Sequence, residues 1–247
     1  MKSNELEFHV GHYGDGTGAR GIVDEVQYAR KFIKRIYEIC IENRVPATYY
    51  EDKVSKNQTQ NINHLIAHHN ADTNAIIVSG HLNSSGAITD KGLGVEVLYY
   101  DQIKLAQDVS TAISKASGLI NRGAKKRTDL GVLARTYEPA ILIEFGFVNS
   151  KIDVEIMDKH FEVICLEVAK VLANAIGKAI KVVKQLEEGK RMELLTSTGR
   201  AEIRALLKKA RDVKIINEDI HTNEAIEKYN DVQLLSYQAA VINRTTR

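Results

Sequence analysis

The sequence contains little cysteine and no long hydrophobic run. Only Cys40 and Cys165 occur in 247 residues, each in a helical pattern among apolar neighbours, and no CxxC or Cys/His spacing is present. We therefore predict no thiolate metal site, and the two cysteines are either buried free thiols or one disulfide. No run of about 18 apolar residues occurs, so we predict no membrane span.

Signals for nucleotide binding and for secretion are also missing. The Gly-rich segment at residues 11–21 lies between a predicted strand and a predicted helix, but it lacks the GxGxxG order, and no GK[ST] occurs. The first eight residues, MKSNELEF, are polar and do not resemble a secretory signal peptide. We therefore expect a protein that is made in the cytoplasm and does not use this loop for phosphate binding.

Charge is distributed unevenly along the chain. Residues 181–247 contain 13 Lys/Arg and 10 Asp/Glu, a net charge of +3, whereas residues 1–180 contain 21 and 22, a net charge of −1. A basic tail suits attraction to a polyanion such as teichoic acid or nucleic acid, although an ordinary solvated helical surface explains three charges equally well. We expect no nucleic-acid partner.

Apolar runs alternate with helical periods over the first 180 residues. Helices are predicted at residues 25–43, 57–70, 103–117 and 152–180, and strands at 6–10, 47–50, 75–79, 95–100, 130–134 and 140–145. This alternation predicts an α/β fold with a twisted, mostly parallel sheet and helices on both faces. Functional residues in such sheets gather at the carboxyl ends of the strands.

The strand pattern stops beyond residue 189. Helices are predicted at residues 198–211, 223–229 and 232–243, and residues 181–190 are compatible with a continuation of the preceding helix. We predict an α/β domain at residues 1–180 and a small all-helical C-terminal module at 190–247. The apolar faces of that module would be formed by Leu194, Leu195, Ile203, Leu206, Leu207, Ile215, Ile216, Leu234, Leu235 and Val241.

Four polar residues lie near the ends of predicted strands. His12 follows the first strand, Glu25 opens the first long helix, His81 follows the strand at 75–79, and Glu144 lies near the end of the strand at 140–145. Two imidazoles and a carboxylate suit catalytic zinc with an open fourth position, and a second carboxylate supplies a proton acceptor. Spacing alone is weak evidence, because dispersed ligands have no regular signature.

The order of several motifs is more specific. GH-x-G-x-G-x-GA-x-G is followed by DE, then by S-x-HLN, GxGVEVLYY, NRGAK and ILIEFGFVN. In these segments the chain resembles the zinc-dependent N-acetylmuramoyl-L-alanine amidases of phage endolysins and bacterial autolysins, over about residues 8–153. The sequence departs from the family at Tyr13, where many relatives have a second glycine. A different position of the loop over the metal is compatible with this change, and no ligand is lost.

The resemblance assigns roles to the polar residues. It implies that His12, Glu25 and His81 bind Zn²⁺ and that Glu144 is the catalytic carboxylate. Asn83 is a candidate for orienting a ligand or the substrate.

A structural alternative competes with the catalytic role of Glu144. A salt bridge from Glu144 to Arg122 or Lys125 would satisfy a carboxylate in an apolar strand without any catalytic role.

Other histidines offer a second arrangement for a metal. His64 and His68 have the i, i+4 spacing that can bind a metal ion, and His69 lies beside them in the same helix. We favour exposed side chains for this group and a structural role for His9.

The resemblance also implies a function. We expect hydrolysis of the amide bond between N-acetylmuramic acid and L-alanine in peptidoglycan; the alternatives are a zinc peptidase that cuts within the stem peptide and a non-catalytic peptidoglycan-binding module. Without a signal peptide, a phage endolysin is favoured, which accumulates in the host cytoplasm and reaches the wall after release. A bacterial amidase released by mother-cell lysis is the alternative. The C-terminal module would bind a secondary wall polymer or form a homo-oligomer.

Overall fold

The computed structural model describes residues 4–73, 75–181, 197–215, 222–229, 234, 237–238 and 241. The chain divides into two compact units, Met1–Lys181 and Val182–Arg247. None of the described helices combines the length and the apolar composition that a membrane span requires.

A six-stranded mixed sheet forms the centre of the first unit. Its order is β2-β1-β3-β6-β4-β5, with β1 (Glu5–Val10), β2 (Ala47–Tyr50), β3 (Ala75–Asn83), β4 (Val95–Tyr99), β5 (Asn121–Lys126) and β6 (Ala140–Phe147). Strands β2, β1, β3 and β6 run parallel, whereas β4 is antiparallel to β6 and parallel to β5. The predicted mostly parallel α/β sheet is confirmed, and the carboxyl ends of β1, β3 and β6 meet at one edge.

Helices cover both faces of this sheet. They are α1 (Glu25–Glu42), α2 (Gln58–His69), α3 (Ile103–Ser117), α4 (Gly131–Ala134), α5 (Lys151–Lys159) and α6 (Phe161–Ala175). The larger core joins one face of the sheet to α1, α3, α5 and α6, and in it Phe32 stacks on Phe145 with ring centroids 4.5 Å apart. A smaller cluster joins the other face to α2 and α4 through Leu65, Ile77 and Leu142.

The hydrophobic period of α1 sets its buried face. The apolar residues that recur near 3.6 spacing in the sequence are all buried: Val26, Ala29, Phe32, Ile33, Ile36, Ile39 and Cys40. Each large aliphatic or aromatic side chain among them contributes about 1.5–3 kcal/mol by leaving water. Cys40 lies on this face and Cys165 on α6, and both are free thiols in the core. The thiol interpretation is thus confirmed, and the disulfide alternative is wrong.

The predicted strand at residues 130–134 is wrong. Residues 131–134 form the short helix α4, in which the Ala134 and Arg135 amides donate to the carbonyls of Leu130 and Gly131. Val132 and Leu133 are both buried. Because neighbouring residues in a strand point to opposite faces, a short helical turn buries this adjacent pair in one cluster more easily.

The single helix predicted at residues 152–180 is also wrong. The chain turns at His160, which ends α5 and precedes α6, and α6 ends at Ala175. The turn lets Val154 and Met157 of α5 pack beside β6, while α6 packs against α1 and α3. Residues 176–181 are not helical, so they do not continue α6, and residues 182–190 lie outside the described part of the chain.

Most of the described residues of the second unit are helical. This unit contains α7 (Ser197–Asp212), α8 (Asn223–Lys228) and helical residues at 234, 237, 238 and 241. A buried cluster joins Ile203, Leu207, Ala210, Ile226, Leu234 and Val241, with Leu206 and Ile215 partly buried against it. Leu194, Leu195, Ile216 and Leu235, which the sequence also places on apolar faces, lie outside the described residues, as does much of the predicted helix at 232–243.

Candidate active site

The start of α1 positions the first carboxylate of the site. Asp24 caps this helix by accepting a hydrogen bond from the Gln27 amide at 3.1 Å, so Glu25 is its first helical residue, as predicted. The Glu25 side chain is only about 4% exposed, and its Oε2 accepts a hydrogen bond from the Ala19 amide at 2.6 Å. The Gly-rich loop therefore fixes one oxygen of the carboxylate and leaves Oε1 to face the histidines.

His12 occupies a strained turn directly after β1. Its φ angle is 66°, in the left-handed region that non-glycine residues seldom adopt. The side chain of Asn61 on α2 donates to the His12 carbonyl at 3.0 Å and to Oδ2 of Asp52 at 2.9 Å. A buried amide thus anchors the backbone of this residue.

Two imidazoles converge on the same Glu25 oxygen. Nε2 of His12 lies 2.9 Å and Nδ1 of His81 lies 2.8 Å from Glu25 Oε1. One donor atom from each of the three residues lies within 4.8 Å of the others. The structure therefore brings together the three residues that were predicted to be zinc ligands.

Glycines leave room for this cluster. A Cβ atom at Gly11 would lie 2.1 Å from the His81 ring, and a Cβ atom at Gly18 would lie 2.7 Å from Glu25 Oε2 and 2.8 Å from the His12 ring. Any larger side chain at either position would displace a ligand. The close approach of backbone to the three side chains explains the Gly-rich sequence of the loop without any role in phosphate binding.

The electrostatics of the cluster favour a bound cation. Burial opposes ionisation of Glu25, but its hydrogen bonds with His12 and His81 outweigh burial and hold its pKa well below the usual range. Burial lowers the pKa of His81, which favours the neutral imidazole that binds metals. A buried carboxylate with two imidazoles is a donor set that fits Zn²⁺ and leaves a further coordination position for water.

Glu144 lies one strand away from His81. His81 and Glu144 are register partners in β3 and β6, and Glu96 of β4 is the register partner of Glu144 on the other side. The three residues therefore form one row across three neighbouring strands. Burial, together with the nearby carboxylates of Glu25 and Glu96, raises the pKa of Glu144 to about 8. Its Oε2 is buried and has no hydrogen-bond partner among the described residues. This carboxylate is therefore available for proton transfer.

The salt bridge proposed as the alternative for Glu144 does not form with Arg122. Arg122 Nε instead donates to Glu96 at 2.7 Å, and the Asn83 side-chain amide donates to the same carboxylate at 2.9 Å. Within the described residues, no ion pair joins Glu144 to Lys125. Asn83 Oδ1 accepts from the Ser84 amide at 2.7 Å, so both ends of the Asn83 side chain have partners within the protein.

The expectation for the histidines of α2 is confirmed for two of three. His64 and His68 are exposed, and both rings stack on Tyr50. His69 is fully buried, so the prediction that it is exposed is wrong. Its position four residues after the buried Leu65 places it on the inner face of the helix, a signal that the sequence did contain.

This buried histidine belongs to a polar chain along β1. His69 Nδ1 contacts Glu7 Oε2 at 2.5 Å, and His69 Nε2 lies 2.8 Å from His9 Nδ1. Burial and the neighbouring histidines keep the pKa of His9 well below its ordinary value, so His9 is neutral. The structural role expected for His9 agrees with these contacts.

Comparison with known proteins places the chain in a family. The sequence profile of the N-acetylmuramoyl-L-alanine amidase family matches residues 9–182, which include His12, Glu25, His81 and Glu144. The chain belongs to this amidase family. Members of the family generally depend on a metal ion, in agreement with the donor cluster.

Solved structures share the fold of this amidase domain. The catalytic domain of the CD27L endolysin targeting Clostridia difficile is 26% identical, with a TM-score of 0.61 over 72% of this chain and 99% of that domain. The catalytic domain of the CwlV amidase from Bacillus (Paenibacillus) polymyxa var. colistinus is 21% identical, with a TM-score of 0.57 over 72% and 99%.

A curated relative extends beyond the matched region. An uncharacterised 38.4 kDa protein of Clostridium perfringens is 29% identical over 188 residues, which are 71% of this chain and 53% of that protein. The chain thus spans about half the length of this relative.

Proposed function

We propose that the chain is a zinc-dependent amidase that hydrolyses the bond between N-acetylmuramic acid and L-alanine in peptidoglycan. The observation that carries this proposal is an open set of three ligands beside a buried carboxylate oxygen without a partner. Family membership supports the choice of substrate. A module that only binds peptidoglycan would have no need for the fourth residue.

His12, Glu25 and His81 would hold the zinc ion. When bound, zinc would polarise the scissile carbonyl, stabilise the charge that develops on its oxygen and lower the pKa of water at the open position. The protein prepares this arrangement by holding Glu25 through the Ala19 amide and His12 through the Asn61 amide. Both supports act outside the ligand cluster, and supports of this type commonly determine metal affinity.

Glu144 would carry the proton. Its Oε2 is free to accept a proton from the attacking water and to pass it to the nitrogen of the leaving L-alanine. A divalent cation in the ligand cluster would lower the raised pKa of Glu144 toward about 7. A pKa of about 7 suits a group that first accepts a proton and then donates it. Asn83 is proposed to act at the rim of the site, where it bridges Glu96 and the Ser84 amide.

The test compares two substitutions in purified protein. Glu144→Gln should keep zinc and the fold but lose about 10²- to 10⁴-fold in activity, because it removes only the proton acceptor. His81→Ala should lose zinc. Glu155→Gln, an exposed glutamate on α5, is the matched control and should match the wild type.

Product analysis on muropeptides decides the bond that is cut. A new free amino terminus on L-alanine supports the amidase, whereas another new amine would identify a peptidase that cuts within the stem peptide. Near-normal lysis by Glu144→Gln would show that another group handles the proton.

The biological setting proposed is that of a phage endolysin. The similarity to an endolysin catalytic domain supports this setting, which places the protein in the host cytoplasm before it reaches the wall. A bacterial amidase released by mother-cell lysis is the alternative. Lysis is assayed with protein added from outside and with protein expressed inside the cells, with and without a pore-forming protein. This comparison separates the two settings, because an endolysin should lyse cells from within only after the pore opens.

We propose that residues 190–247 tether the enzyme to a secondary wall polymer or to another copy. The helical unit has its own buried cluster around Leu207 and Ile226, and the basic excess lies in this part of the sequence. A chain shortened to residues 1–184 should cleave soluble muropeptides at the wild-type rate, yet sediment poorly with intact walls or lose oligomeric mass. If the shortened chain aggregates or fails on soluble substrate, the segment belongs to the catalytic fold.

A further inference from the structure

Three carboxylates lie together toward the amino ends of the strands, away from the carboxyl ends that carry the proposed zinc ligands. Glu7 lies in β1, Asp72 in the loop before β3, and Glu138 in the segment before β6. One oxygen from each lies within 4.8 Å of the others, in a cluster that shares no residue with the zinc site. Along β3, the distance from Ala75 to His81 is roughly 20 Å at about 3.3 Å per residue, so this is a separate location.

Glu138 gives the second, independent indication of a ligand. Its side chain is about 5% exposed, and Oε1 accepts a hydrogen bond from the Ala75 amide at 2.7 Å. The other oxygen, Oε2, is buried and has no hydrogen-bond partner among the described residues. Because a buried carboxylate oxygen without a donor is costly, the arrangement requires either a proton or a cation at that oxygen.

The carboxylates of the cluster have one imidazole beside them, His69, which contacts Glu7. Within the described residues, Glu7, Asp72 and Glu138 form no ion pair with lysine or arginine. Burial, with Glu7 and Asp72 nearby, raises the pKa of Glu138, and the same two carboxylates contribute to a raised pKa of Glu5. A bound cation would relieve this repulsion.

His69 orients the cluster but is not available as a ligand. Its Nδ1 contacts Glu7 Oε2 and its Nε2 contacts His9, so both ring nitrogens are in use. The side-chain donors that the cluster offers to a metal are then carboxylate oxygens. An all-oxygen set favours a hard cation, in contrast to the mixed nitrogen and oxygen donors of the zinc site.

We propose that Glu7, Asp72 and Glu138 form a second metal site, which binds Ca²⁺. Two oxygens on opposite sides of a Ca²⁺ ion, each about 2.4 Å away, are about 4.8 Å apart, and the three carboxylate oxygens lie within that distance of one another. Asp72 is exposed and gives the ion a route from solvent as well as positions for water ligands.

The role of this site is structural. It joins β1 to the segments that lead into β3 and β6, the strands that carry His81 and Glu144 at their other ends. Binding only in the folded state stabilises that state by mass action. The ion would therefore hold the amino ends of the same strands whose carboxyl ends build the catalytic site.

The experiment uses the full-length, zinc-loaded protein after removal of weakly bound ions, with zinc content checked by elemental analysis. Titration with CaCl₂ is followed by calorimetry and by thermal unfolding. We expect one Ca²⁺ per chain and a rise in Tm of about 5 °C or more at saturation. Asp72→Asn and Glu138→Gln should weaken Ca²⁺ binding at least tenfold and leave the zinc content unchanged.

Asp90→Asn is the matched control, because Asp90 is an exposed loop aspartate that pairs with Lys151, outside the cluster. It should bind Ca²⁺ as the wild type does. Since Asp72 is exposed, its variant tests the site even if Glu138→Gln fails to fold. No Ca²⁺ binding by the wild type, or binding that Asp72→Asn leaves unchanged, would overturn the proposal without affecting the proposed amidase activity.

Discussion

Replacement of Asn61 by alanine tests how the protein holds His12, the first of the proposed zinc ligands. The Asn61 amide donates to the His12 carbonyl and to Asp52, while Asp52 Oδ1 accepts from the Val54 and Ser55 amides. This network ties α2 to the turn after β1. It also keeps His12 at a φ angle of 66°, a conformation that costs roughly 1–2 kcal/mol for a residue with a Cβ atom.

The expected magnitude follows from these contacts. Asn61→Ala removes a hydrogen bond to an ionised carboxylate, which contributes about 1.5–3 kcal/mol, and leaves the His12 carbonyl without its donor. The turn is then free to relax toward ordinary φ values and to carry the imidazole away from Glu25. Changes in groups that orient metal ligands typically cost about 10- to 100-fold in metal affinity, and we expect a loss in that range.

Zinc affinity is measured by competition with a chromophoric chelator, and folding by urea unfolding of the zinc-free protein. Asn63→Ala is the matched control, since Asn63 is an exposed residue on the same helix that contacts Arg135. It should bind zinc like the wild type. Wild-type zinc affinity in a folded Asn61→Ala protein would refute the reasoning, because it would mean that His12 keeps its position without the amide.

Two further predictions concern the loop and the acid limit of stability. Gly18→Ala should weaken zinc binding, because the new Cβ atom would lie 2.7 Å from a Glu25 oxygen. Gly92→Ala is the control and should leave zinc binding unchanged, because its Cβ atom would lie 3.4 Å from the nearest atom. Equal zinc affinities of the two variants would contradict this prediction. Hydrogen bonds from Ser55 and Asn61 outweigh burial and lower the pKa of Asp52 to about 2. Because the folded pKa lies below the unfolded value, this carboxylate stabilises the fold above about pH 4, and about 2 kcal/mol is lost as the pH falls toward 2. Urea unfolding of zinc-free protein should show this loss in the wild type and not in Asp52→Asn, and identical pH profiles would count against it.

The location of the active site was predictable because strand ends are visible in the sequence. His12, His81 and Glu144 each follow or end an apolar run, and parallel neighbours bring such positions to one edge. The amphipathic period placed Glu25 at the start of α1, and the Asp24 cap agrees with it. Local patterns therefore carried the positions of all four residues, while their roles came from the family resemblance.

What the sequence did not predict depends on contacts between distant segments. Strand β5, with the sequence NRGAKK, has no apolar alternation because it is an edge strand that pairs only with β4. The reversed direction of β4 against β6 leaves no local signal either. The partnership of Arg122 with Glu96 follows from this pairing, and it explains why Arg122 does not neutralise Glu144.

The contrast between Glu25 and Glu144 supports the proposed division of roles. Both are carboxylates removed from water, and Glu25 and Glu144 lie close enough for each charge to affect the other. Glu25 contacts two imidazoles and a backbone amide, so it remains ionised and suits a metal ligand. Glu144 is buried and faces two other carboxylates, so its pKa is raised, and among the described residues its Oε2 has no hydrogen-bond donor, which suits proton transfer. Environments that move the pKa values of two acids in opposite directions separate a ligand from a proton carrier. Because its neighbours suit each carboxylate to one role, neither can replace the other. A Glu25→Gln variant should therefore lose zinc, whereas a Glu144→Gln variant should retain it.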